Sequence, residues 1–131
     1  MSPAGYSGTP LPKKLGIKEG TRVALLGAPT DFALGTLPKG AVARRGARGA
    51  ADLTLWFVRS RRELETGVRA MVPRSEGSGL WIVWAKRSSP LAADVNENDV
   101  RDTALAAGMV DFKVCAVDQD WSGLRFNRRK T

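Results

Sequence analysis

Residues Leu15–Thr30, LGIKEGTRVALLGAPT, decide the fold. Within them Arg22–Leu26, RVALL, is a short and largely apolar run between Gly20 and Gly27. That is the pattern of a strand covered on both faces, the mark of a parallel sheet. The loop that follows stands at the strand's carboxyl end, where an open α/β sheet binds its ligands.

Working outward toward the N-terminus, Thr9 is placed to cap a short helix over TPLPKKL. Pro10 suits its first position, Leu11 and Leu15 share its inner face, and Gly16 ends it. Residues Met1–Gly8, with a single Tyr6, show no periodicity and read as an arm ahead of one α/β domain spanning 9–131.

Toward the C-terminus, Thr30 or Asp31 is placed to cap a short helix through Phe32 and Leu34. Glycines, a proline and arginines between Gly35 and Ala50 then favour a loop with one short strand near Ala41–Ala43. Leu53–Val58, LTLWFV, is a second buried strand, and Ser60 with Glu63 forms a capping box for a helix carrying Leu64, Val68, Met71 and Val72. Pro73 stops that helix, Gly77 and Gly79 turn the chain, and Leu80–Ala85 is the parallel return strand. Asn96 and Asp99 cap a further helix that Gly108 ends. Val110–Val117 and Leu124–Arg128, flanking DQDWSG, form an antiparallel hairpin, with Trp121 in its turn covering the sheet edge. Trp56, Trp81 and Trp84 lie inside strands and read as packing residues. The order predicts a three-layer, Rossmann-like α/β sandwich with a mostly parallel sheet and a C-terminal antiparallel hairpin.

Composition narrows the chemistry. At 131 residues the chain fits one domain of the usual size, roughly 100–200 residues. No apolar run approaches the roughly 18 residues of a membrane span, and the start of the chain lacks the basic-then-apolar pattern of a signal peptide. Cys115, the only cysteine, rules out an internal disulfide and suits a reducing, cytoplasmic setting. With no histidine, Ser-His-Asp and Cys-His catalysis, histidine general bases and most zinc sites are excluded. The net charge of +8 is uneven: Lys39–Arg74 carries nine basic and three acidic residues, whereas Ser88–Asp120 carries two basic and seven acidic. Such a field attracts nucleic acid, phosphorylated ligands or an acidic protein.

LGIKEGTRVALLGAP resembles the first motif of class I methyltransferases that use S-adenosylmethionine, and the C-terminal half resembles the same layout of strand, helix, GxG turn, strand, helix and antiparallel pair. The chain departs from that family where the cofactor binds. Leu25 stands in place of an acidic residue, Pro29 and Asp31 replace the later glycines, and the basic VARRGARG follows the second strand where a ribose-holding carboxylate is required. The resemblance therefore implies a reduced methyltransferase fold and no cofactor. AGYSGTPLPKKLGIKEGTRVALLGAP and VDFKVCAVDQDWSGLRFNRR together resemble a family of small uncharacterised actinobacterial proteins, which implies no activity.

Two candidate sites follow. Gly27, Ala28, Pro29, Thr30, Arg59, Ser60, Lys86, Arg87 and Ser88 lie at strand ends, where helix N-termini near Thr30 and Ser60 together with positive charge would hold an anion or ligand. Arg44, Arg45, Arg48, Arg61, Arg62, Arg128 and Arg129, with Lys130, form a basic patch for an acidic partner or for nonspecific nucleic-acid binding. Asp94, Glu97, Asp99 and Asp102 read as helix-start carboxylates rather than a metal or acid/base site. The expectation is a non-catalytic binding or regulatory module for a protein or anionic partner, with no cofactor and no metal. Its alternatives are an enzyme or sensor for a nucleotide-like ligand in the strand-end crevice, and a nonspecific nucleic-acid binder.

Overall fold

The computed structural model describes residues 9–46 and 48–129. The N-terminal arm and Lys130 lie outside the described residues. Six strands, β1 (Arg22–Leu26), β2 (Val42–Arg45), β3 (Leu53–Phe57), β4 (Gly79–Ala85), β5 (Met109–Ala116) and β6 (Trp121–Arg128), form one sheet in the order β2-β1-β3-β4-β6-β5. β2, β1, β3 and β4 are parallel neighbours, and β6 runs antiparallel to both β4 and β5. The expected parallel sheet with a terminal antiparallel hairpin is thus present.

Two separate cores show why the central strands are apolar throughout. Side chains alternate across a strand, so β3 sends Leu53, Leu55 and Phe57 to one face and Trp56, with the following Val58, to the other. β4 does the same with Trp81 and Val83 against Leu80, Ile82 and Trp84. The first face is closed by α1 (Leu11–Leu15) and by Phe32, Leu34 and Leu37 of the β1–β2 connection. The second is closed by α2 (Arg61–Met71) and α3 (Glu97–Ala106) through Leu64, Val68, Val100 and Ala104. These are the three layers.

Local chemistry sets the element ends. α1 begins one residue later than Thr9 and Pro10 predict: Pro10 is the N-cap, in an extended conformation. Pro12, which has no amide to donate, then falls in the first turn, where an amide would find no intrahelical acceptor. Trp81 ties this helix to the sheet, its buried Nε1 donating to the carbonyl of Leu15 at 3.0 Å. At α2 the Ser60 hydroxyl accepts from Glu63 N at 3.0 Å, as expected. The Glu63 carboxylate reaches one residue further back than in a capping box, to Arg59 N. At α3 the reciprocal box of Asn96 and Asp99 is complete.

Three expectations are corrected. No helix forms at Thr30–Leu34: Phe32 N closes a turn on the Pro29 carbonyl at 3.0 Å, and the carbonyls that would begin a helix are taken by Arg45. The short strand is Val42–Arg45 rather than Ala41–Ala43, because Val42 is the first residue in register with β1, opposite Arg22. Trp121 is not in a turn but opens β6, opposite Ala85. It is buried against Phe57, with ring centroids 5.1 Å apart.

Candidate functional site

β1 connects to β2 on one side and β3 lies on its other side, so the crevice outside the carboxyl ends of β1 and β3 is the topological switch point. Gly27, Ala28, Pro29 and Thr30 leave β1 there, and the way they are held determines what the crevice can accept. Arg45, the last residue of β2, donates Nη1 to the Ala28 carbonyl at 3.0 Å and Nη2 to those of Pro29 and Thr30 at 2.9 and 3.4 Å. A nucleotide-binding loop offers amide donors to phosphate. This loop instead turns three carbonyl acceptors toward a guanidinium of its own chain.

Neither β1 nor β2 ends on a carboxylate. Leu25 is buried in the α1-side core, and its partner across the β1–β2 ladder is Arg45 itself. The cofactor expected of the fold, S-adenosylmethionine, therefore does not fit these residues: its ribose would meet a guanidinium where it needs a carboxylate.

At the end of β3, the α2 N-terminus expected to hold an anion is already served by the chain. Arg61 N donates to Asp94 Oδ1 at 2.9 Å, and Glu63 N to Ser60 Oγ at 3.0 Å. The helix N-terminus expected near Thr30 does not exist. What remains at this end is side-chain charge. Arg59 extends over the Trp121 ring, its Cζ 5.7 Å from the centroid, and has no carboxylate partner among the described residues. Lys86 is half-buried, its amide held by the Asp120 carbonyl at 2.7 Å. Arg87 is exposed and, with Lys86, lines a cavity of about 450 Å³ closed by Trp84, Asp94, Val95 and Ser122. Ser88 is exposed, whereas its neighbour Ser89 is buried and donates to Asp120 Oδ1 at 2.8 Å.

The basic patch is not brought together. Arg44, Arg45 and Arg48 lie at and just beyond the β2 edge strand. Arg61 pairs with Asp99 at 2.8 Å, joining α2 to α3, while Arg62 is exposed on α2. Arg128 pairs with Glu76, and Arg129 N bonds the Gly108 carbonyl, both at the opposite end of the sheet from Arg59 and Arg87. The acidic residues of the α3 lead-in serve as bonding partners: Asp94 and Asp99 with Arg61, and Glu97 with Arg101 at 2.7 Å. Among the described residues no group of three or more carboxylates or thiols could hold a metal ion, and no helix is long and apolar enough to cross a membrane. Cys115 is buried, and burial pushes its thiol above the ordinary range.

The sheet order, the two helical layers and the terminal hairpin define the class I methyltransferase fold. The chain is similar to the fibrillarin pre-rRNA processing protein of Methanococcus jannaschii, at 12% identity and a TM-score of 0.57, covering 88% of this chain and 69% of that one. It is also similar to the magnesium protoporphyrin IX methyltransferase of Synechocystis PCC 6803, at 11% identity and a TM-score of 0.50, covering 86% of this chain and 75% of that one. At these identities the likeness is one of fold. No family model matches the chain, and no curated protein sequence does.

Proposed function

We propose that this chain is a non-catalytic binding module, built on a reduced methyltransferase sheet, that engages a protein or anionic partner at the carboxyl ends of β3 and β4. The single observation that carries the reading is Arg45, whose guanidinium occupies the carbonyls of Ala28, Pro29 and Thr30 where a cofactor would need donors. The same contact weighs against an enzyme or sensor for a nucleotide-like ligand. The separation of Arg128 and Arg129 from the other arginines weighs against nonspecific nucleic-acid binding. Arg59, Lys86 and Arg87 supply the positive charge for the partner. A cytoplasmic setting, one domain over 9–131 and kinship with the small actinobacterial family belong to the same reading, supported by the lone cysteine and the two end motifs.

The test is thermal unfolding of the protein with S-adenosylmethionine, ATP, inorganic pyrophosphate and duplex DNA, each at two salt concentrations, since a ligand that binds the native state raises the midpoint. Pyrophosphate should raise it, and the double variant Arg59→Ala, Arg87→Ala should lose that rise. A rise with S-adenosylmethionine that survives in this variant would overturn the reading.

A further inference from the structure

The sheet ends differently on its two sides. β2 closes one edge with four residues, two of them arginine, whereas β5 closes the other with eight. Val110, Phe112 and Val114 of β5 are exposed, the last two at 52% and 59%. A long edge strand carrying apolar side chains is a template for a further strand. β5 also keeps backbone groups open on its outer side. Val117 N bonds the Trp121 carbonyl within the hairpin, while Ala116, one residue earlier, turns its carbonyl outward to Lys14 Nζ at 3.0 Å. The same alternation turns the amide and carbonyl of Val114 outward, where no other strand among the described residues lies. The register irregularity between Asp111 and Lys113 comes before this stretch, and from Lys113 to Ala116 the pairing with β6 is regular.

Residues directly opposite on neighbouring strands share a face. Lys113 stands opposite Arg125, which stands opposite Trp81 of the α1-side core, so the two cations share the α1 face. Val114 stands opposite Leu124 of the other core and lies on the α3 face. The Arg125 guanidinium has a fixed place: Nη1 and Nη2 lie 2.6 Å from where Cβ atoms on Gly16 and Gly79 would stand, and Cζ is 5.5 Å from the Phe112 ring centroid. Its Nε is buried without an acceptor, and neither Lys113 nor Arg125 has a carboxylate partner among the described residues. Asp111 does not neutralise them, because it stands opposite Phe126 on the α3 face and accepts from Arg101 Nε at 3.1 Å. The free edge is thus cationic on one face and apolar at Val114 on the other.

We propose that the β5 edge receives an extended segment of another protein as a seventh strand, its residues alternating between acidic and apolar. Strand addition draws affinity from main-chain hydrogen bonds and specificity from alternate side chains. The acidic residues of the segment lie beside Lys113 in the field of Arg125, and the apolar ones lie beside Val114. A second copy of this chain is the poorer occupant. Twofold pairing of β5 with itself keeps each face on its own side, and so gathers Lys113 and Arg125 of both copies with no carboxylate between them. The edge shares no residue with the Arg59, Lys86 and Arg87 surface and does not rest on the proposal made for it.

The probe is the peptide acetyl-Val-Glu-Val-Glu-Val-amide, followed by amide NMR shifts of the whole protein. It should bind saturably and move the amides of Lys113–Ala116. Two controls should bind at least about tenfold more weakly, the scale of one charge-assisted contact: the same peptide with lysine for glutamate, and the same peptide with its valine amides methylated. Lys113 is exposed, and Lys113→Glu should reverse the preference, so that the lysine peptide binds better than the glutamate one. Equal binding of the two peptides, indifference to methylation, or a preference unmoved by Lys113→Glu would overturn the proposal. So would a dimer of the protein alone in sedimentation whose dilution shifts the same β5 amides, since the edge would then belong to a second copy.

Discussion

Arg45 Nη2 lies 2.9 Å from the carbonyl oxygen of Pro29, so the end of one strand is fastened to the loop leaving its neighbour. The Ala28 and Thr30 carbonyls complete a fork around the same guanidinium. Arg45→Ala should lower unfolding free energy by about 1 kcal/mol, at the modest end for charge-assisted bonds because the group is exposed. Arg45→Lys should recover only part, since a point ammonium cannot span carbonyls that a planar fork reaches together. Urea titration measures the loss, and hydrogen exchange should show it concentrated between Phe32 and Leu37.

Gly67 sets two magnitudes against each other. It lies inside α2, where Gly→Ala should gain about 1 kcal/mol in helix propensity. A Cβ at this position would lie 2.6 Å from Cζ2 of the buried Trp56, a rigid ring that cannot rotate away in a full core. Overpacking of this kind costs about 1–3 kcal/mol. Gly67→Ala should therefore destabilise, and the double variant with Trp56→Phe should recover much of the propensity gain relative to Trp56→Phe alone. A double-mutant cycle in urea measures the coupling.

The parts of this fold that could be read from sequence are those whose cause is local. LTLWFV and LWIVWA have no polar face to offer solvent except Thr54, and both are buried along their length. Asn96 and Asp99 satisfy each other's backbone within one turn. The errors fall where a distant residue decides. Thr30 and Asp31 ahead of Phe32 and Leu34 imitate a helix start, and what prevents it is a guanidinium 16 positions away. Gly123, two residues after Trp121, imitates a turn, yet it sits mid-strand opposite Val83, where a Cβ would come within 3.2 Å of the Trp81 ring.

Arg22 and Asp52 join the starts of β1 and β3. The Asp52 carboxylate accepts Arg22 N at 2.8 Å and Arg22 Nε and Nη2 at 3.1 Å each, while Asp52 N donates to the Arg22 carbonyl. Side-chain and then backbone hydrogen bonds from Arg22 hold the Asp52 carboxyl below the ordinary range. Because the folded value is depressed, the contribution to stability is present above the unfolded pKa, about 3.9, and is lost as pH falls through the lower folded value. Asp52→Ala should therefore be less stable than the parent at pH 7, with the difference shrinking below about pH 4. Midpoints from chemical denaturation across that range measure it.

Asp94 fills the position in which the α2 N-terminus would hold an external anion. Its carboxylate accepts Arg61 N from 33 residues away, and Arg61 returns along the same interface to Asp99 Oδ1. A cap of this kind is worth about 1 kcal/mol, and the charge near the positive end of the helix dipole adds about 0.3–1 kcal/mol. Asp94→Ala should lose both contributions, whereas Asp94→Asn should keep the acceptor and lose only the smaller one. Removing the carboxylate also uncovers the Arg61 amide beside two cationic side chains, Arg61 and Arg62, so sulfate should restore part of the stability of Asp94→Ala. At constant ionic strength the parent should gain little from sulfate, because its own carboxylate already occupies that place. Equal gains in parent and variant would show that Asp94 is not acting as the helix's built-in anion.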